Sequence, residues 1–372
     1  MSKHSLVDRT VIIIIIVLLL LSPLGCGLPF SKKTKEPSTQ PPGQQSDQEI
    51  TDGTVTDKGT TRKDPIPLGT LAAVPGWYVQ VLEFLRGEAA LTILNTADWQ
   101  VDPLPAGQEY AVAKVFVRCT SMDSNYHSLG ISNIFITGSH NTTYGDTMDS
   151  WPQPEFLFED MYTAEAVEGW IDVIIPTDEQ NFMLVVDVPD ADGNSFLRFF
   201  ELETGASIPI PKEFANNKPN DLGVEVNKPA PIGQTVISPN WEVTLLSSLH
   251  GQEAETVLQA NSSYYTPPES GKEYLVLNVK LRYISPDDIP GSISSYSFWE
   301  VDQTGNTRQA DSVYYLDKPD RNWISEKIFP GAEIEGWVAL IVDAGNVQSV
   351  SFHPTVSGWI SSDEDLRYLA LQ

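Results

Sequence analysis

The sequence predicts an all-β protein: two tandem β-sandwich domains, each with a short helix, following a leader segment and a flexible tether. Three observations carry that reading. Short apolar or β-branched runs, bounded by turn formers, recur from residue 65 to the end of the chain, as expected for strands rather than helices. The 27 prolines and 25 glycines punctuate those runs as turns. A group of motifs then reappears at one fixed spacing. The hydrophobic fraction of 41% is ordinary for a chain that buries a core.

The N-terminus reads as an address. Lys3 and Arg9 precede an unbroken apolar run, Val11 to Leu21. As a helix this run would rise about 16 Å, short of the ~30 Å bilayer core. A charged start, a short apolar stretch and small residues behind it define a signal peptide over residues 1–25. The following Leu21-Ser-Pro-Leu-Gly-Cys26 resembles the lipobox of bacterial lipoproteins, with Gly25 before the cysteine and Pro23 where a leucine is usual. The resemblance implies that Cys26 becomes an acylated N-terminus. Several acyl chains, at ~0.8 kcal/mol per buried methylene, give stable anchoring. Residues 26–64 carry six basic and six acidic side chains, and from Ser31 to Asp64 there is almost no large apolar residue except Ile50 and Val55. Such a stretch cannot bury enough surface to fold and predicts a disordered tether.

The repeat begins beyond it. Pro67-Leu-Gly69 matches Pro231-Ile-Gly233, Trp77-Tyr-Val79 matches Trp241-Glu-Val243, and Gly107-Gln-Glu-Tyr110 matches Gly271-Lys-Glu-Tyr274, all at a spacing of 164 residues. Arg118 and Arg282 keep that spacing, and Glu168-Gly-Trp170 pairs with Glu335-Gly-Trp337 at 167. A single register held across some fifty residues predicts duplication: repeat 1 over 65–215, a linker over 216–223, and repeat 2 over 224–372. Within each copy Tyr274–Tyr283, Trp337–Val342, Val347–Phe352, Trp170–Ile175 and Phe182–Val188 read as strands. Residues 302–306 read as a hairpin turn with Gly305 at positive φ. Ala90, Ile93 and Leu94, like Ala254, Val257 and Leu258, have helical spacing and predict the short helix. Trp77, Trp241, Trp170 and Trp337, matched between copies, are expected in the core.

These motifs together resemble a bacterial family of immunoglobulin-like domains of unknown function, found singly or in tandem in secreted and lipid-anchored proteins. The second copy carries the fuller match, with Pro330-Gly331 before its Gly-Trp strand where the first has Thr163-Ala164. The resemblance implies an immunoglobulin-like sandwich at the cell surface and brings no catalytic residues.

The search for chemistry gives little. Beyond the leader the histidines are His127, His140, His250 and His353, none at ligand spacing from another. There is no Gly-x-Ser-x-Gly elbow and no phosphate-cradling glycine loop. Two cysteines exclude a disulfide scaffold, and Cys119 reads as a buried inert thiol. No catalytic residue, metal or cofactor is expected, and the protein is read as a non-enzyme. Asp190, Asp192 and Asn194 resemble the start of a calcium loop but lack its closing glutamate, and they equally form a hairpin turn. Asp287-Asp288 and Asp363-Glu-Asp365 read as solvated loops. Trp99, Trp151, Trp323 and Trp359, with Tyr264-Tyr265 and Tyr314-Tyr315, fall in loop-like segments and offer either a stacking platform or packing under loops.

Charge narrows the partners. Lys and Arg number 23 against 50 Asp and Glu, a net charge of -27, which argues against nucleic acid. The imbalance sits on the repeats, with 5 basic against 22 acidic residues in 65–215 and 9 against 20 in 224–372. The sequence therefore predicts a lipid-anchored protein facing outside the cytoplasm, with a binding, adhesion or envelope-interaction role and a protein or cationic partner. The alternative is a carbohydrate- or calcium-binding module.

Overall fold

The first strands form where the apolar pattern has period two. The computed structural model describes residues 58–96, 101–123, 125–130, 133–145, 161–262, 265–312, 326–356 and 363–371, all within one compact unit, Thr51–Gln372. Cys26, the apolar leader, Trp99, Trp151, Trp323, Trp359, Tyr264 and the Tyr314-Tyr315 pair lie outside the described residues.

In chain order the first half contains β1 (Ala72–Val74), β2 (Trp77–Arg86), α1 (Glu88–Leu94), β3 (Gln108–Cys119), β4 (Ile134–Thr137), β5 (Thr143–Tyr144), β6 (Ala166–Pro176), β7 (Met183–Pro189) and β8 (Ser195–Glu201). The second half contains β9 (Thr235–Ile237), β10 (Trp241–His250), α2 (Gly251–Asn261), β11 (Lys272–Tyr283), β12 (Gly291–Ile293), β13 (Phe298–Asp302), β14 (Thr307–Gln309) and β15 (Asp311–Ser312). It continues with β16 (Glu326–Ile328), β17 (Glu333–Asp343), β18 (Val347–Phe352), β19 (Thr355–Val356) and β20 (Arg367–Ala370). Among the described residues these two helices are the only α-helices.

Each half stacks antiparallel sheets. In the first, β1-β2-β3-β6 faces β5-β4-β7-β8; in the second, β15-β17-β11-β10-β9 faces β14-β13-β18-β20, with a small sheet β16-β12-β19 beside them. Alternation along the central strands sorts the core. On β3, Ala111, Ala113, Val115, Val117 and Cys119 turn inward to meet Ile136, Leu184 and Phe200 from the opposite sheet. On β11, Leu275, Leu277, Val279, Leu281 and Tyr283 do the same against Phe298, Val350 and Phe352.

The opposite faces of β3 and β11 carry a second, thinner core under the helices. Tyr110, Val112 and Trp170 pack against Ala90 and Leu94 of α1; Tyr274, Val276 and Trp337 pack against Ala254 and Leu258 of α2. The helical spacing seen in the sequence is thus the contact stripe of each helix. It also places Trp170 and Trp337 outside the space between the sheets, where the other two matched tryptophans, Trp77 and Trp241, lie. Tyr110 and Tyr274 each donate a hydroxyl hydrogen bond to a loop carbonyl, Asp102 O at 3.0 Å and Thr266 O at 2.6 Å. The buried aromatic hydroxyls are thereby satisfied.

Pairing registers in the two halves correspond. Trp77 faces Cys119 and Trp241 faces Tyr283, and a β-bulge interrupts β2 between Val81 and Glu83 and β10 between Leu245 and Ser247. The extra residue resets which side chains point inward. As a result the last residues of β2 and β10 aim between the sheets at one end of each sandwich.

Candidate functional site

The most heavily built polar group lies where the two halves meet. Lys58–Asp64, which composition assigns to the tether, is folded against the body: the Phe199 N–H donates to Gly59 O, the Ile66 N–H donates to Phe199 O, and Ile66 bridges Phe200. Arg62 is fully buried. Its backbone N–H and Nε donate to the two Asp288 carboxylate oxygens at 2.6 and 2.7 Å, Nη1 to Asn141 Oδ1 at 2.6 Å and Nη2 to Pro330 O at 3.1 Å. Its guanidinium also stacks 4.5 Å above the Phe329 ring. Burial lowers the Arg62 pKa and the Asp288 charge opposes that shift. Asp288 is therefore no solvated loop residue; its side chain is 4% exposed and neutralises a buried cation.

Around this pair Phe329 from the second half closes the outer face of the β4–β7–β8 sheet, joining Phe135, Met183, Val185 and Phe199. The Phe329 N–H donates to Asn141 O at 2.7 Å, and the Thr143 hydroxyl donates to Lys327 O at 2.8 Å. Lys327 also reaches Asp187 at 3.3 Å.

A second group orders the loop that carries Asn141. Glu179 has a fully buried side chain. It accepts the Tyr144 hydroxyl and, at 2.9 Å, the His140 N–H. The Thr142 hydroxyl in turn donates to Tyr144 Oη at 2.7 Å, and His140 Nδ1 lies 3.5 Å from the carboxylate. Burial raises the Glu179 pKa, and the Tyr144 and His140 hydrogen bonds pull it down. This hydroxyl–carboxylate–imidazole chain holds residues 138–144 in place against the other half. Asp365 has a similar task. Fully buried rather than solvated, it accepts the Ser238 hydroxyl at 2.6 Å and two Asn240 N–H groups at 2.9 and 2.8 Å, fixing the turn into β10.

Asp190, Asp192 and Asn194 form the β7–β8 turn. Asp190 Oδ1 accepts the backbone N–H of Asp192 at 2.9 Å and of Asn194 at 2.8 Å, and Gly193 supplies positive φ. Asp302, Thr304, Gly305 and Asn306 repeat that arrangement between β13 and β14, with Asp302 Oδ1 accepting Thr304 N–H at 2.8 Å and Asn306 N–H at 2.9 Å. These hydrogen bonds lower the Asp190 pKa and hold Asp302 at about 2. The same side-chain-to-backbone turn at two different corners identifies the motif as turn chemistry. Among the described residues, no three His, Cys, Asp or Glu side chains converge on a metal position.

The remaining feature is a cleft of about 590 Å³ at one end of the second sandwich. It is lined by His250 from β10, Gln303 from the β13–β14 turn, Val347 and Gln348 from β18, and Ala370 and Leu371 at β20. His250 Nε2 is buried there with no hydrogen-bond partner. Glu273 stands two residues before Leu275, the β11 residue that pairs with His250. It accepts the Gly345 N–H at 2.8 Å, and the Gln303 side-chain amide donates to Gly345 O at 3.4 Å. Sequence reasoning passed over Arg62, Glu179 and His250. The one local signal was that His250 ends a strand where the first half has Arg86.

Stacked antiparallel sheets with two short helices define an all-β sandwich architecture. Residues 230–359 match the model of a domain of unknown function (DUF4352). Among solved structures the chain is similar to a candidate lipoprotein, ycdA, of Bacillus subtilis, with 14% identity over 36% of this chain and 37% of that one and a TM-score of 0.27. It is also similar to an uncharacterized β-sandwich protein of Clostridium difficile, with 12% identity over 38% of this chain and 96% of that one and a TM-score of 0.23. The match thus spans little more than a third of the first of these chains. No curated protein matches the sequence. Among the described residues no helix is long and apolar enough to cross a membrane.

Proposed function

We propose that this protein is a non-enzymatic binding protein of the cell envelope, held at the membrane through lipid on Cys26 and recognising a basic partner. The two halves, 65–215 and 224–372, are in this reading copies of one domain. The observation that carries it is the disposition of charge. Several basic side chains of the body are paired within it: Arg62 with Asp288, Arg86 with Glu109 and Glu203, Lys114 with Glu168, Lys272 with Asp343, and Arg308 with Glu300 and Asp343. The excess of carboxylates is left to face solvent, and a surface of one sign steers partners of the other. The lipobox-like Gly25-Cys26 supports the anchor.

Two measurements test the reading. Mass spectrometry of the membrane fraction is expected to find an acylated Cys26 at the mature N-terminus, and any other N-terminus overturns the anchor. The full chain is expected to bind a lysine-rich peptide and to release it as ionic strength rises and the Debye length falls below ~8 Å. Salt-independent binding, or none, overturns the electrostatic part.

A further inference from the structure

The two sandwiches finish the same rim in opposite ways. In the first half the β2 bulge sends Phe84 and Arg86 between the sheets, where they pair with Ala113 and Ala111. Phe84 packs on Phe182 with ring centroids 5.7 Å apart, and the Arg86 guanidinium lies 5.0 Å over the same ring. Arg86 donates to Glu109 at 2.8 and 2.5 Å, to Glu203 at 3.2 Å, and to the carbonyls of Glu179 and Thr177 at 3.2 and 3.4 Å. The rim is therefore plugged by a guanidinium held in an acceptor cage and stacked on an aromatic ring.

In the second half the same register positions, facing Leu277 and Leu275, hold Ser248 and His250. Two large side chains have become smaller ones, and the cleft opens where the plug would be. Much of the cage remains. Glu273 is the counterpart of Glu109, and both carboxylates sit under the glycine that starts the helix: a Cβ on Gly87 would lie 2.9 Å from Glu109 Oε2, and one on Gly251 would lie 3.4 Å from Glu273 Oε2. The turn that supplies the carbonyls is kept as well, since Thr177 donates to Gly107 O and Ala344 donates to Gly271 O, each at 3.0 Å. Among the described residues Glu273 has no basic partner; it accepts the Gly345 N–H. His250 Nε2 adds a buried polar atom with no hydrogen-bond partner.

We infer that this cleft receives an arginine side chain of a partner polypeptide, which supplies in trans the guanidinium that Arg86 supplies within the first sandwich. The inference rests on the proposal of a basic partner and assigns it a place. The His250 Nε2 and the Glu273 carboxylate accept the guanidinium N–H groups, Gln303 and Gln348 flank them, and Val347 and Leu371 receive the aliphatic stem.

Titrating the full chain with N-acetyl-arginine amide, read by chemical shifts of the His250 ring and the Gly345 amide, tests the assignment. Saturable binding is expected, stronger than that of N-acetyl-lysine amide and absent for N-acetyl-norleucine amide. Glu273→Gln is expected to weaken it by at least about tenfold, since a charge-assisted bidentate contact is lost. The double variant Ser248→Phe, His250→Arg rebuilds the plug and is expected to abolish probe binding while the protein stays folded by circular dichroism. Overturning results are no saturable shift, equal binding of the norleucine amide, or binding untouched by Glu273→Gln and by the double variant. Failure of the arginine probe to bind the unsubstituted chain, while a lysine-rich peptide is still captured, would overturn the cleft alone and leave the acidic-surface reading standing.

Discussion

The inward ends of the central hairpins show how far the two halves share a plan. In the first half Trp77 faces Cys119, and the neighbouring bridge position is held by His127, paired with Met161. In the second, Trp241 faces Tyr283 with ring centroids 4.5 Å apart, Phe352 meets Trp241 edge-on at 5.8 Å, and the neighbouring position is Gly291, paired with Ile328. A Cβ on Gly291 would lie 2.8 Å from Trp241 Cζ2 and 3.1 Å from Tyr283 Cζ. Cysteine beside histidine has been exchanged for tyrosine beside glycine. The hydrogen-bonded register is the same, and in the second half a large ring stands against a residue without a side chain. Interiors are close-packed, so a larger ring in one place requires a smaller residue in another.

Substitutions can break or sharpen this comparison. The largest effect is expected where the halves meet. Asp288→Ala strands the Arg62 cation in a dry site and should cost about 3–5 kcal/mol, whereas replacing both partners with apolar residues should cost far less. Urea denaturation of the three proteins checks this, and equal losses for the single and double variants would contradict it. Trp241→Ala should cost about 3–5 kcal/mol. Trp77→Ala, which lacks the aromatic neighbours, should cost less, as measured in the same way. Gly291→Ala should lose about 1–3 kcal/mol through overpacking against two rings. His127→Ala, at the matching place, should change stability little because its imidazole is partly exposed and bonded to Asp123.

The smallest effect is in pH dependence, where the two matching turns should act alike. Asp302 is held at about 2 in the fold, below the ~3.9 of an unfolded chain. It therefore stabilises the protein above about pH 4, and that contribution is lost as pH falls toward 2. Asp190 is shifted in the same direction. Thermal melts between about pH 5 and 2 should show a shallower acid loss for Asp302→Ala than for the parent. Glu179 has the opposite sign: its raised pKa means that stability falls as pH rises through its folded value, a slope that Glu179→Gln should remove.

Much of this fold was legible because it is written in periodicity. Alternation on β3 and β11, helical spacing at Ala90–Leu94 and Ala254–Leu258, and the glycine turn at Gly305 each follow from local rules. Most long-range polar groups were not. Arg62 sits in a stretch whose composition looks soluble, and its partners Asn141, Asp288 and Pro330 are distant in sequence. Asp365 likewise reads as a solvated loop acid, and nothing adjacent to Glu179 announces its burial. The tryptophans were assigned to a core without distinguishing the space between the sheets from the layer under the helices. The cleft was invisible because it arises from the absence of two large side chains, Phe84 and Arg86, at their counterparts in the other half.

The Arg62 junction has a mechanical consequence. Among the described residues, which begin at Lys58, Arg62 is the first side chain anchored in both halves, through Asn141 on one side and Asp288 and Pro330 on the other. A pull from the N-terminal side therefore meets the Gly59–Phe199 hydrogen bond and then this clamp of short charged hydrogen bonds before it can peel β1 from β2. The load is divided between the two sandwiches at the point of entry, and neither hairpin has to carry it alone.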